Sequence, residues 1–345
     1  MSNVLRGKIN YNKLTGKLNN GIIEIKHLFA PRHISFYRCP NESLENEINN
    51  VDVKNVTSFY STFGYCEKLK NIDISAWDTG SATTMSGMFA NCSQMQTIDL
   101  STLKTNNVND MSNMFAKCSN LTEVIGTNNW DTSKVTTMKY MFDTASKITI
   151  VDFSNCDMRA VTTTNNMLVY GYKLKTFKFG KTSSALQNTS QMFQWCNQLS
   201  ELDLNNIDMT GVTNSERMFY DNNSLQELDM SWVDMPNNTT MQQMFTNCYA
   251  LKKLDLRNCT IPKVKNMSSC FWGLRTLKYL DIRNMDFKSV TTYTNMFGNG
   301  TVTYDVPENC EIIVKDDTAR DWILARKSTF TNIKTVAELE AETSA

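Results

Sequence analysis

Five of the ten cysteines, Cys66, Cys92, Cys118, Cys196 and Cys248, stand in equivalent places, each three residues after a phenylalanine. A thiol in such a series could serve as a nucleophile or as a soft metal ligand. A nucleophilic cysteine needs a lowered pKa and a neighbouring base, usually histidine. The chain has two histidines, His27 and His33, both before the first of these cysteines. A zinc site calls for close pairs such as CxxC, and the nearest neighbours here, such as Cys259 and Cys270, are 11 residues apart. In other units the same slot holds Ala145, Gly171, Asn222 or Leu274. A group required for chemistry does not give way to glycine or leucine from one unit to the next. The slot therefore reads as a buried structural thiol, with a disulfide between neighbouring units left open. No catalytic, cofactor-binding or metal-ligating residue is assigned. Around Cys118, the residues Met111, Met114 and Phe115 complete an i, i+3, i+4, i+7 stripe, the pattern of one helical face.

A second series is acidic: Asp73, Asp99, Asp152, Asp203, Asp229, Asp255 and Asp281. Apolar residues flank most of these on both sides, as in "NIDIS", "TIDLS" and "ELDLN", so the segments alternate like short strands. If the segments stack side by side, the carboxylates form a file about 4.8 Å apart. Neighbours repel by roughly 1 kcal/mol in water-like surroundings. Hydrogen bonds from backbone amides or hydroxyls would offset that repulsion; bound cations would do so differently. Two residues before each aspartate is a variable column that includes Glu201, Glu227, Lys253 and Tyr279. Between 250 and 290, nine basic residues, among them Arg257 and Arg283, face three aspartates. The binding face expected from these columns comprises Asp73, Asp99, Asp203, Asp229, Asp255, Asp281, Glu201, Glu227, Lys253, Arg257, Tyr279 and Arg283.

What positions both series is a repeat. Phe63, Phe89, Phe115, Phe142, Leu168, Phe193, Phe219, Phe245, Phe271 and Phe297 fall 25 to 27 residues apart, usually with Met immediately before. Each unit reads as a short strand, a turn and one or two helical turns on "TxMxxMFxxC". One unit cannot bury its own apolar face, but stacked units bury a continuous core. The expected architecture is an α/β solenoid of about ten 26-residue units, with a parallel sheet on one face and short helical turns on the other.

The segments "WDTSKVTTMKYMF" at 130–142 and "MFANCSQMQTIDLS" at 88–101 resemble the BspA-like leucine-rich repeats of bacterial surface proteins, most closely the roughly 25-residue variety of mycoplasmas, lactic acid bacteria and gut bacteria. The resemblance covers about residues 56 to 300. It implies a leucine-rich-repeat coil acting as a non-catalytic recognition or adhesion module. The C-terminal run "DTARDWILARKSTFTNIKTVAEL" resembles the closing segment of similar proteins in gut bacteria and their phages.

Formal charge is balanced at 35 basic against 35 acidic side chains, so no overall field draws the chain to nucleic acid or an anionic membrane. No run of about 18 apolar residues suggests membrane insertion. The first residues, "MSNVLRGKINYNKLTGKL", carry charges where a signal peptide has an apolar run. Residues 1–55 are expected to form an N-terminal cap or docking segment with a hairpin around Ile9–Ile25, residues 56–300 the solenoid, and 301–345 a C-terminal cap. In the cap a strand at "CEIIVKDD" precedes a helix with Asp317 as N-cap and Ala319, Trp322 and Ile323 on one face. The expected function is non-enzymatic: a virion component (fibre, decoration or host-recognition protein) of a phage, or alternatively a bacterial cell-surface adhesin. Its expected partners are a protein or glycan on a host surface and, through the N-terminal segment, other virion proteins, with self-association open. No cofactor is expected.

Overall fold

The computed structural model describes residues 33–40, Leu44, Ile48, 51–300 and 304–344. The hairpin expected near Ile9–Ile25 lies outside the described residues. The rest is a solenoid of the leucine-rich-repeat kind. On one face run three-residue parallel strands: β1 (Thr97–Asp99), β2 (Glu123–Ile125), β3 (Ile150–Asp152), β4 (Thr176–Lys178), β5 (Glu201–Asp203), β6 (Glu227–Asp229), β7 (Lys253–Asp255) and β8 (Tyr279–Asp281). Register follows the sequence columns: Asp229 pairs with Asp255, and Asp255 with Asp281. Coils before Thr97 carry the same segment without regular strand pairing, so eight coils, not ten, contribute named strands before the cap.

The sheet is not continuous. Regular pairing lapses between β2 and β3 and between β5 and β6. The first gap follows the "GTNN" insertion, where Thr127–Asn129 forms a 3-10 turn. Gly126 sits there at φ +91, and a Cβ on it would lie 2.4 Å from Ser101 Cα, so only glycine fits. At the second gap Glu201 and Asp203 would oppose Glu227 and Asp229, and like charges directly opposite weaken a pair. Regular pairing resumes where Glu227 meets Lys253.

The opposite face differs from expectation. "MSNMFAKC" is not helical. Asn113 and Lys117 have φ of +58 and +61, and tight turns close through Ala116 N to Asn113 O (3.0 Å) and Cys118 N to Phe115 O (3.1 Å). The alternate amides of Met111, Asn113, Phe115 and Lys117 donate to Thr137, Lys139, Met141 and Asp143 of the next coil. The reason is dimensional. Strands fix the coil spacing at about 4.8 Å, whereas a helix with side chains is about 10 Å across. Helices fit behind such strands only where the coil curves and spreads its outer face; turns stack at the strand pitch itself. Single bridges join equivalent residues down this side from His33 through Ser58, Thr84 and Asp110 to Thr292. This row begins before residue 56, and Phe36 stacks on Phe63 at 5.3 Å.

Inside, the repeated phenylalanines form a stack. Phe63, Phe89, Phe115 and Phe142 follow one another at 5.2–5.7 Å with rings within 13° of parallel. Leu168 interrupts this stack, and Phe177 fills the space by meeting Phe193 edge-on at 5.1 Å. Beyond it, Phe193, Phe219, Phe245, Phe271 and Phe297 stack again. The C-terminal end is closed by β9 (Glu311–Val314) on β8, β10 (Ile333–Thr335) on β9, and helices α1 (Asp317–Leu324) and α2 (Val336–Ser344). The α1 N-cap is Asp316, whose carboxylate accepts from Ala319 N, one residue earlier than expected. Trp322 of α1 stacks on Phe287 at 4.4 Å.

Candidate functional site

The five slot cysteines, Cys66, Cys92, Cys118, Cys196 and Cys248, are buried and none is in a disulfide. Each slot thiol donates to the carbonyl of the phenylalanine position one coil back: Cys66 to Phe36 O, Cys92 to Phe63 O, Cys118 to Phe89 O, Cys196 to Leu168 O and Cys248 to Phe219 O, at 3.1–3.3 Å. Asn222 in the same slot makes the same bond to Phe193 O at 2.9 Å. Where the slot carries a polar side chain, that side chain is a buried donor; Ala145, Gly171 and Leu274 fill it without one. Burial pushes the thiols of Cys118 and Cys248 up to about 12, the opposite of activation. His33 lies in the first rung, its Nδ1 3.2 Å from Ser58 O. Exposed threonines repeat the device outside: Thr83, Thr136 and Thr239 donate to Thr57, Asn109 and Thr213 carbonyls.

The aspartate file is built from local turns. The Oδ1 atoms of Asp73, Asp99, Asp152, Asp203 and Asp229 accept the backbone N–H two residues on, at 2.8–2.9 Å, the Asx-turn geometry. The Ser75 amide and hydroxyl hold Asp73 below the usual carboxylate range. The Ser101 hydroxyl and amide do the same for Asp99. For Asp152, burial raises the pKa, but Ser154 and Lys178 outweigh it.

Six of the residues expected on the binding face come together at β7–β8. Asp255 and Asp281, 2% and 0% exposed, are gripped from above by Arg257 and Arg283. Arg283 Nε and Nη2 reach Asp281 Oδ1 and Oδ2 at 2.9 and 2.6 Å, and Arg257 clasps Asp255 in the same forked manner. Burial raises the Asp255 pKa, yet Arg257 brings it below the ordinary value. Tyr279 Oη donates to Asp281 Oδ2 at 2.9 Å; burial and the Asp281 charge push this phenol up to about 12. Lys253 Nζ lies 5.8 Å from the Tyr279 ring centre. The basic stretch is thus largely engaged within the molecule: Lys252 bonds Gln226, Lys263 bonds Asn237 and Lys288 pairs with Asp286. Glu201 accepts from Thr176 Oγ1 at 2.8 Å, and Glu227 is exposed opposite Lys253. Asp73, Asp99 and Asp203 sit in other coils and are not part of this cluster; Asp229 lies beside Asp255 in register and is engaged in its own Asx turn.

Column reading overlooked a further group on the turn face, the aromatic residues Tyr170, Tyr172, Trp195 and Tyr220. Their slots hold other residue types in most coils, which is why a consensus hides them. Among the described residues no group of three or more His, Cys, Asp or Glu is arranged to hold a metal ion, and no helix is long and apolar enough to cross a membrane.

A family model described as a Mycoplasma protein of unknown function, DUF285, matches residues 33–148, 91–201 and 187–308, together well over half of the 345 residues. The chain belongs to the DUF285 family. The first of these DUF285 matches begins at His33, the first rung of the turn-side ladder. No curated protein matches the sequence. Among solved structures, the chain is similar to TLR13 in its complex with ssRNA13 (16% identity, TM-score 0.32, covering 68% of this chain and 34% of that one). It is also similar to the pneumococcal vaccine antigen PcpA (16%, 0.34, 80% and 64%) and to a leucine-rich repeat protein of Bacteroides ovatus (14%, 0.28, 80% and 86%). It therefore spans about a third of the length of the TLR13 chain.

Proposed function

We propose that this DUF285 chain is a non-enzymatic binding or structural repeat protein that works as part of a phage particle, as a fibre, decoration or host-recognition component. The observation that supports this reading is the use of its recurring polar side chains. Cysteine, threonine and aspartate columns bond the backbone of their own or adjoining coils, which leaves a stiff rod whose outer positions vary from coil to coil. A rod of this kind displays surface and performs no bond chemistry. Its partner is a protein or glycan on a host surface, and the N-terminal segment docks it to other virion proteins. The alternative is a bacterial cell-surface protein of the BspA-like kind; the family is described by a Mycoplasma protein, a cellular rather than a phage source. Gold-labelled antibodies to the chain, applied to purified virions and to intact cells of the producing strain, separate the two. Decoration of virions is expected. Decoration of cells alone would establish the alternative, and labelling of neither would remove both.

A further inference from the structure

On the turn face, four rings form a ridge across adjoining coils. Tyr172 meets Tyr170 at 5.9 Å, Tyr170 stacks on Trp195 at 6.3 Å, and Trp195 meets Tyr220 at 5.9 Å. Tyr170 and Tyr172 are 38% and 40% exposed. The repeat itself shows that the fold does not require these rings. The slot of Tyr170 and Trp195 holds Asn91, Lys117, Thr144 or Asn247 elsewhere, with Tyr65 the other aromatic; that of Tyr172 holds Ser93, Ser119 or Ser146, with Tyr249 the other aromatic; that of Tyr220 holds Ala90, Ala116 or Thr246, with Trp272 the other aromatic. Moreover, Tyr170 and Trp195 sit at φ of +62 and +65, a conformation that suits asparagine and strains a bulky residue. Lys117 and Thr144 take the same left-handed conformation in that slot, so the strain belongs to the repeat; what is particular here is four rings meeting on one strip of surface.

Tyr170 and Trp195 stack at 23°, and the other two contacts are tilted by 54° and 56°. The cavity of about 350 Å³ bordered by Ser154, Arg159 and Lys181 belongs to a different row. Tyrosine, tryptophan and arginine are the residues that dominate protein interfaces. Of the two arginines flanking the ridge, Arg217 lies 6.0 Å from the Tyr220 ring centre and is engaged by Glu216 and Gln243, whereas Arg275 lies 4.5 Å from the ring centre of Tyr249. Arg275 has no ion-pair partner among the described residues, so its N–H edges are available to a carboxylate.

We propose that this ridge is the recognition surface, and that it docks a partner protein offering an apolar recess edged by carboxylates. The inference rests on the reading of the chain as a binding protein and adds which face binds and what it binds. A random peptide library displayed on phage and selected against the whole chain tests it, because interface centres select ligands of complementary chemistry. Acid-rich peptides with apolar anchors are expected. They should lose about ten-fold or more affinity on Trp195→Asn or Tyr170→Asn and weaken as salt rises. The melting temperature of both variants should be unchanged or raised, because asparagine relieves the backbone. A clear fall in melting temperature would assign the ridge a structural role and overturn the proposal. Peptides that bind both variants as well as the wild type would move recognition to another face while keeping the binding function. A glycan array whose hits, unlike the peptides, vanish in the same variants would replace the protein partner by a carbohydrate. Failure of peptides and glycans alike to bind anywhere would sink the binding function itself.

Discussion

Cys118→Ala removes the thiol that donates to the buried Phe89 carbonyl one coil back, leaving that carbonyl the Cys92 N–H at 3.1 Å. The substitution is expected to cost about 1 kcal/mol, read as a lowered urea midpoint. Alkylation of Cys118 should be slow in the native state, where burial raises the thiol to about 12, and fast in denaturant; rapid native labelling would reopen the case for a reactive cysteine. The carboxylates give a pH dependence of definite sign. Arg159 holds Asp157 down to about 2, against the effect of burial, while an unfolded aspartate titrates near about 4. The folded protein thus resists a proton that the unfolded chain accepts. The stabilisation is complete above about pH 4 and is lost as pH falls toward about 2. Asp157→Asn should flatten the fall in urea midpoint across that interval; an unchanged slope would show that Asp157 contributes nothing to it.

At the scale of elements, the strand columns were legible in sequence because the Asp-flanked alternation survives in nearly every unit. The turn face was misread because two successive tight turns and an amphipathic helix place apolar residues at the same i, i+3, i+4, i+7 spacing. The backbone bonds from one coil's turns to the next, seen only in three dimensions, decide between them. The rung at His33 escaped notice because Phe36 follows Ser35 and not methionine, although Cys39 stands in the usual place three residues later. Of the expected binding face, the Arg257–Asp255 and Arg283–Asp281 pairs were visible only as charges; forked geometry and burial belong to three dimensions. The phenylalanine stack carries its own prediction. Phe115 contacts both Phe89 and Phe142, so Phe115→Ala should cost about 3–5 kcal/mol. Lys104→Ala should cost about 1 kcal/mol or less, since its pair with Asp78 is exposed. Equal urea midpoints for the two variants would contradict the stacked core.

For the whole molecule, stability depends on the ends, because each coil contacts only its neighbours and an open coil exposes core. At the C-terminal end a buried ion pair fastens the cap: Lys327 Nζ lies 2.8 Å from Asp305 Oδ2, with the two side chains 14% and 8% exposed. The same carboxylate accepts from the Asn299 and Gly300 amides at 2.9 and 3.1 Å, so one side chain ties the last coil to the segment after α1. Asp305→Ala strands a buried ammonium and two amides and is expected to cost about 3–5 kcal/mol. Lys327→Met with Asp305→Asn should cost less, because no bare charge remains and the asparagine oxygen still accepts from one of the two amides, which reach different oxygens of the carboxylate. Hydrogen exchange locates the effect. In Asp305→Ala, protection should fall in β8, β9 and β10 first and stay near wild type around Phe63 and Phe89, many coils away. Protection lost evenly along the rod would mean that the solenoid unfolds as one unit and that the ion pair is not a local fastener.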